Sequence, residues 1–483
     1  ERFKYLGLLK LCMELKDIKE SNPWWDNEDW ENDDLHLTNI KNQKIIWKYE
    51  IIKDLDNGIF SIRGPRQVGK TSYIKQLIKE LNKKIDPKNI LFYSCDNINK
   101  NELEELLNLF FDFSENGKKY IFLDEIPFVE DWEIIIKHYY DLGKFKDSFV
   151  LVCGSNSIDI KKSVERLPGR GDFGKRHFIM FPLTFKEYLK AINFNLNLTG
   201  KIKKDEAIIK LNFKEIQKEY ENYLLTGGFI KIINEYYENK NISDYSYDIY
   251  LKWIIGDLAK LNLKEKYAKQ LLRRVIETYT SEVSWSSLRS GTDIDTHNTA
   301  AKYLESLEEM FILDIIYKMD YNKKIPDYPK SKKIYFSDPF ILSCVYKWVY
   351  GIEGNFLRYK NNFFNDYISK ISEGVFLNHL IKLLINRIKS NVFNYQDHIF
   401  YWSNKQKTKE IDFIIDDIAF EIKYQNNINQ EDYRGLNEFK KSYLLTKKTF
   451  NEKTYPLSAF LLLDKEIKII QEQNSSEQTL EHL

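Results

Sequence analysis

The chain predicts an α/β protein built on a parallel sheet with a phosphate-binding loop, and three observations carry that expectation. The run Gly64-Pro65-Arg66-Gln67-Val68-Gly69-Lys70-Thr71 fits GxxxxGK[ST]. It lies between the apolar stretch Gly58 to Arg63, suited to a buried strand, and Ser72 to Leu81, whose apolar residues fall at helical spacing. Downstream, Lys119 to Leu123 is a second apolar strand running into the acidic pair Asp124-Glu125. Two more strand-like runs, Ile90 to Cys95 and Phe149 to Cys153, alternate with helical segments, which implies a parallel sheet covered by helices.

The chemistry follows from the residue types. Gly64 and Gly69 let the backbone curl so that amide hydrogens and the positive end of the next helix face a phosphate. Residues Gly64, Pro65, Arg66, Gln67, Val68, Gly69, Lys70, Thr71 and Ser72 are therefore expected to hold ATP, with the Lys70 ammonium on the β and γ phosphates. The Thr71 hydroxyl and Asp124 are expected to bind Mg²⁺, and Glu125 is the candidate general base that polarises water. In ATPases with such an acidic pair, a polar residue on a neighbouring strand senses the γ-phosphate. Asn156, Ser155 and Ser157, after the strand ending at Cys153, are the available groups.

Glu165-Arg166-Leu167-Pro168-Gly169-Arg170-Gly171-Asp172 precedes the apolar run Phe178 to Phe181. This order resembles AAA-type ATPases, in which the arginine of a Pro-Gly-Arg segment reaches a γ-phosphate, often in a neighbouring subunit. The resemblance assigns that place to Arg170, with Arg166 as its companion, acting in cis or in trans. Further stretches narrow it to a family of archaeal and bacterial AAA-like ATPases with a C-terminal domain of unknown function. They are Asn22-Pro23-Trp24-Trp25, Pro182 to Tyr188, Tyr223 to Phe229 and Lys333 to Asp338, together with the phosphate loop itself.

Composition adds exclusions. Lys plus Arg (73) nearly balances Asp plus Glu (72), so no global field favours nucleic acid or membrane, and DNA contact has to come from local patches. Cys12, Cys95, Cys153 and Cys344 are too dispersed for a zinc site or disulfide framework, which suits a reducing cytoplasm. No apolar run reaches the length of a membrane span.

Five regions are expected. Residues 1–40 form a tryptophan-rich acidic segment, either packed on the ATPase core or open to a partner, and 41–190 form the P-loop core. Residues 191–270 read as a helical lid in which Gly227-Gly228 marks a helix stop or close approach. Residues 271–345 read as a winged helix-turn-helix: a short helix from Trp285, a turn at Gly291 to Asp295, a longer helix from Thr296 to Phe311, and a basic wing from Lys323 to Lys333. It would either contact DNA or pack as a regulatory module.

Residues 346–483 carry a second constellation. Glu410 to Ile415, a turn at Asp416-Asp417 and Ile418 to Tyr424 form a strand pair that places Asp412 before Glu421-x-Lys423. Glu421 and Lys423 share a strand face. This spacing resembles the PD-(D/E)xK restriction-endonuclease-like fold, which implies that Asp412 and Glu421 bind Mg²⁺, that Lys423 polarises water, and that Glu373 on the preceding helix adds a carboxylate. The functional expectation is ATP hydrolysis coupled to DNA binding or processing. The alternative is a STAND-like regulatory switch whose C-terminal domains bind a protein partner, with a homo-oligomer open in either case.

Overall fold

In the computed structural model, which describes residues 13–154, 176–352, 356–387 and 394–467, the chain divides into two units, Glu1–Phe181 and Pro182–Leu483. The first is organised by largely apolar strands, the central ones buried along nearly their whole length because both faces are covered. These are β1 (Gly58–Arg63), β2 (Ile90–Ser94), β3 (Lys119–Asp124), β4 (Ser148–Gly154) and the short β5 (His177–Ile179), in the order β2-β3-β4-β1-β5. Every neighbouring pair is parallel. The sequence expects this sheet, and three helices connect its strands: α1 (Lys70–Leu81), α2 (Lys100–Phe113) and α3 (Trp132–Asp141). α2 opens on a reciprocal cap between Asn99 and Glu102 and buries Leu103, Leu106, Leu107 and Phe110.

The acidic, tryptophan-rich segment packs on this sheet. Trp24 and Trp25 both donate their indole N–H to the Ile90 carbonyl, at 3.0 and 2.9 Å, and Asn22 brackets Phe92 by accepting from its N–H and donating to its carbonyl. Lys75 on α1 closes the arrangement, with its ammonium 3.3 Å from Asp34, 4.1 Å from the Phe92 ring centre and 5.0 Å from that of Trp24. Of the two readings of residues 1–40, the described part supports packing.

The second unit begins with a helix at Phe185–Ala191, followed by the helices expected of the lid: Ile202–Leu211, α4 (Phe213–Thr226), Ile230–Asn239 and Asp244–Lys260. Next come α5 (Trp285–Arg289), α6 (His297–Glu309), β6 (Leu313–Asp320), β7 (Ile325–Pro326), β8 (Lys332–Phe336), α7 (Pro339–Tyr350) and α8 (Asn365–Arg387). Thr296 caps α6 by accepting from the Thr299 N–H, and the helix ends at Glu309, two residues before Phe311 turns to a φ of +59°. The chain ends in β9 (Ile399–Ser403), β10 (Glu410–Ile415), β11 (Ile418–Lys423), β12 (Lys441–Thr446) and β13 (Thr454–Pro456). One sheet, β13-β12-β11-β10-β9-β6-β7 with β8 on β6, runs through both the expected winged-helix and C-terminal regions. Asp416 and Asp417, at φ +47° and +66°, make the tight β10–β11 turn that places the two strands in register.

One expectation is corrected. Lys332 and Lys333, assigned by their basic run to an exposed wing, lie on β8 and are only 2% and 1% exposed. The two lysines open a strand that runs on through Ile334, Tyr335 and Phe336 and is buried at every position, and basic composition alone hides it.

Three of the stretches that carry the family resemblance meet in space. Leu183 N–H donates to the Gly228 carbonyl at 2.8 Å, the Tyr223 hydroxyl donates to the Leu183 carbonyl at 2.8 Å, and Gly228 N–H donates to Asp338 at 2.8 Å. A Cβ on Gly228 would stand 2.2 Å from the Leu183 carbonyl oxygen, and one on Gly227, itself at φ +62°, would stand 1.9 Å from the Asp338 carboxylate. Gly227-Gly228 is thus both a helix stop and a close approach. Because backbone, not a flexible side chain, stands in the way, Gly228→Ala should lose about 2–4 kcal/mol, lowering the melting temperature by roughly 5–10 °C. Thermal denaturation followed by circular dichroism measures this, and an unchanged midpoint would contradict it.

His379 on α8 is 6% exposed, and its Nδ1 has no hydrogen-bond partner among the described residues. Burial draws its pKa down to about 4, with Asp464 and Glu187 opposing that and Lys186 and Lys382 assisting. Because the folded pKa lies below the unfolded one, the unfolded chain takes up the proton first. Stability is therefore intact above about pH 6.5 and falls by up to roughly 3 kcal/mol as pH drops towards 4. Denaturant melts across pH 4–7 should show this acid sensitivity, and His379→Gln should reduce it. Among the described residues no helix is long and apolar enough to cross a membrane.

Candidate functional site

The phosphate loop sits at the carboxyl end of β1, the edge of a parallel sheet where ligands bind. Gly69 adopts φ +106° and Gln67 φ +62°, so the loop turns twice through the left-handed region before α1 starts at Lys70. Gly64 answers a different need: a Cβ there would lie 2.3 Å from the Met180 carbonyl oxygen, just past β5. Lys70 is buried and donates to the loop's own carbonyls, Gly64 O at 2.9 Å and Pro65 O at 3.0 Å. Burial lowers its pKa, with Glu125 and Asp124 pulling the other way.

Because β4 lies between β1 and β3, the loop and the acidic pair face each other across one strand. Thr71 Oγ1 donates to Asp124 Oδ2 at 2.5 Å. The other carboxylate oxygen, Oδ1, accepts from the Glu125 N–H and from the Cys153 thiol, each at 3.0 Å. Burial and the neighbouring Asp124 push the Cys153 pKa well up, so it stays a thiol and a donor. Cys153 is a member of the site that sequence reasoning missed, hidden as an apolar strand residue. Glu125 is partly exposed and held at φ +49°, a strained conformation for its type at the end of β3.

A hydroxyl and a buried carboxylate converging beside an ammonium fit a Mg²⁺–nucleotide pair. Thr71 and Asp124 would hold the cation, which when bound neutralises charge on the β and γ phosphates. Asn156, Ser155, Ser157, Arg166 and Arg170 lie outside the described residues.

The second constellation is also brought together, and it gains a member. β10, β11 and α8 place Asp412, Glu421, Lys423 and Glu373 around a cleft of about 390 Å³. β8 inserts Lys333 among them. Its ammonium is 2.8 Å from Asp412, 2.7 Å from Glu410 and 3.6 Å from Glu373. Asp412 Oδ2 accepts from the Ile422 N–H at 2.8 Å, Glu373 from the Tyr335 hydroxyl at 2.6 Å, and Glu421 Oε1 from Lys423 at 2.6 Å. Burial would raise Asp412, but Lys333 and Lys423 hold its pKa below the usual range. Burial and the charge of Asp412 push Glu373 up to about 8 and Glu421 well up.

These carboxylates do not fit a ready metal cradle. Only Glu421 Oε2 is buried and unpartnered, and among the described residues no group of three or more His, Cys, Asp or Glu side chains is arranged to hold a metal ion. The expectation of Mg²⁺ on Asp412 and Glu421 meets Lys333 in the way. The signal in the sequence was Lys333 itself, two residues before Tyr335 in a strand-like run.

Comparison with known proteins bears on the first site. Residues 56–189 match a family model described as an AAA domain. The P-loop core is AAA-like. Residues 217–350 and 369–460 match two models described as domains of unknown function, DUF8612 and DUF4143. Two uncharacterized proteins of Methanocaldococcus jannaschii are similar to the chain at 25% identity. MJ1637 matches over 203 residues, 38% of this chain and 40% of the relative; MJ1544 matches over 393 residues, 79% and 77%. The chain thus spans less than half the length of the first of these relatives. Among solved structures, the Aeropyrum pernix ORC1 protein in complex with DNA aligns at 12% identity over 61% of this chain and 87% of its own, with a TM-score of 0.29. The Thermotoga maritima RuvB Holliday junction branch migration motor aligns at 14% identity over 62% and 89%, with a TM-score of 0.27. These scores are too low to argue from.

Proposed function

We propose that the AAA-like core binds and hydrolyses ATP with Mg²⁺ and that its cycle drives DNA binding or processing by the second unit. The observation that carries the ATPase reading is the 2.5 Å contact of Thr71 with Asp124, beside the buried Lys70 and the strained Glu125. In this reading Lys70 releases the Gly64 and Pro65 carbonyls to take the phosphates. Asp124, fixed by Thr71, Cys153 and the Glu125 N–H, orients the cation position. Glu125 takes a proton from the attacking water. Arg170 would complete the γ-phosphate site, from the same chain or from a second copy.

The DNA part rests on a winged-helix reading of α5, α6 and the β6–β8 pair. α6 leaves His297, Asn298 and Lys302 exposed along its first half, where a recognition helix meets a groove. The PD-(D/E)xK reading of the C-terminal domain is supported by the meeting of Glu373, Asp412, Glu421 and Lys423 around one cleft. Its self-paired carboxylates favour docking over cleavage, and they equally favour the second reading, a STAND-like switch that binds a protein partner.

A DNA-stimulated ATPase assay over linear and branched substrates tests the proposal. The expected result is ATP turnover that rises several-fold with DNA, and DNA binding that weakens with salt. Turnover without DNA stimulation or salt-dependent binding would leave the switch reading. No Mg²⁺-dependent turnover would overturn both.

A further inference from the structure

The cleft in the second unit poses a chemical question independent of the ATPase reading: what neutralises its carboxylates? Glu373, Glu410, Asp412 and Glu421 converge there, and three of them are no more than 8% exposed. Buried carboxylates persist only when paired with cations or protonated. A divalent cation would need several free oxygens pointing at one spot. Here Asp412 offers Oδ1 to Lys333 and Oδ2 to the Ile422 N–H, Glu410 and Glu373 also face Lys333, and Glu421 gives Oε1 to Lys423.

Lys333 is unusual in its origin as well as its place. It comes from β8, antiparallel to β6, not from the β9–β10–β11 meander or α8 that supply the carboxylates. Lys333 is 1% exposed although it lines the cleft, and its stem is fixed within a strand buried at every position. Tyr335, on the same face two residues on, donates to Glu373 and so completes β8's hold on the cluster.

We propose that Lys333 takes the place of a divalent cation: it is a tethered ammonium, supplied by β8, that neutralises the carboxylate cluster and keeps metal out. The cleft of the wild-type chain is then metal-independent, and metal affinity appears only when Lys333 is removed. Glu421 Oε2, already unpartnered, and the Asp412 oxygen that Lys333 vacates would become the ligands.

The test measures Mn²⁺ binding to the full chain by electron paramagnetic resonance and by metal-induced change in melting temperature, without nucleotide. All proteins carry Asp124→Asn, so that the phosphate-loop site does not contribute. With Lys333 intact, millimolar Mn²⁺ should be neither bound at the cleft nor stabilising. Lys333→Met should melt earlier without metal, recover on adding Mn²⁺, and bind it about tenfold or more tightly than the Lys333-containing protein. Lys333→Met/Glu373→Gln, which removes the ammonium together with one of its carboxylates, guards against simple misfolding and should also bind Mn²⁺. Adding Asp412→Asn should abolish the gain. Mn²⁺ bound at the cleft with Lys333 in place would overturn the proposal. So would either Lys333 variant failing to gain Mn²⁺ affinity or metal-induced recovery.

Discussion

Glu125→Gln should bind ATP about as well as wild type while turning it over roughly 10²–10⁴ times more slowly, the usual loss when a general base is removed. The substitution keeps the size and hydrogen-bonding reach of the side chain and removes its ability to accept a proton from water. It also leaves the backbone N–H that donates to Asp124 Oδ1, so the cation-holding geometry survives. That separation makes the prediction specific: kcat falls and nucleotide affinity stays. Steady-state phosphate release together with fluorescent-nucleotide titration measures both. A variant that turns over normally would show that Glu125 owes its left-handed backbone to the short turn at Ile126–Phe128 and not to catalysis.

Lys70→Ala should lose ATP affinity by on the order of 10²–10³, since charge-assisted hydrogen bonds to phosphate contribute about 1.5–3 kcal/mol each. The ground state tempers this loss. Lys70 already donates to Gly64 O and Pro65 O, and binding nucleotide must exchange those two bonds for phosphate contacts. Alanine would also leave both carbonyls without their donor, so the empty loop should lose some stability. Isothermal titration with a non-hydrolysable nucleotide reads the first effect, and the melting temperature of the nucleotide-free protein reads the second. Unchanged affinity would remove the loop from the account.

The nucleotide core was legible in the sequence because its signals are local. A glycine pattern between a strand and a helix fixes the loop, and a β-branched run ending in Asp124-Glu125 fixes the facing edge. What the sequence could not reveal was which oxygen of Asp124 faces Thr71, because that depends on Cys153 arriving from β4. The β10–β11 hairpin was equally plain from Asp416-Asp417. Lys333 was misplaced for a physical reason. Its neighbours Lys330, Lys332 and the wing before them look like solvated charge, and only the pairing of β8 with β6 turns it into the cleft. The close approach at Gly227-Gly228 was readable from the glycine pair, but its partners Leu183 and Asp338 are distant in sequence and could be matched only in three dimensions.

The central claim is that Thr71, Asp124 and Glu125 make the Lys70 loop a hydrolytic site. The most direct measurement follows ATP labelled in its γ-phosphate on wild type and Glu125→Gln, with and without Mg²⁺, and asks which nucleotide remains bound. Wild type with Mg²⁺ should release labelled phosphate and hold ADP, while Glu125→Gln with Mg²⁺ should retain intact ATP. Equal phosphate release by both proteins, or release that does not depend on Mg²⁺, would contradict the account.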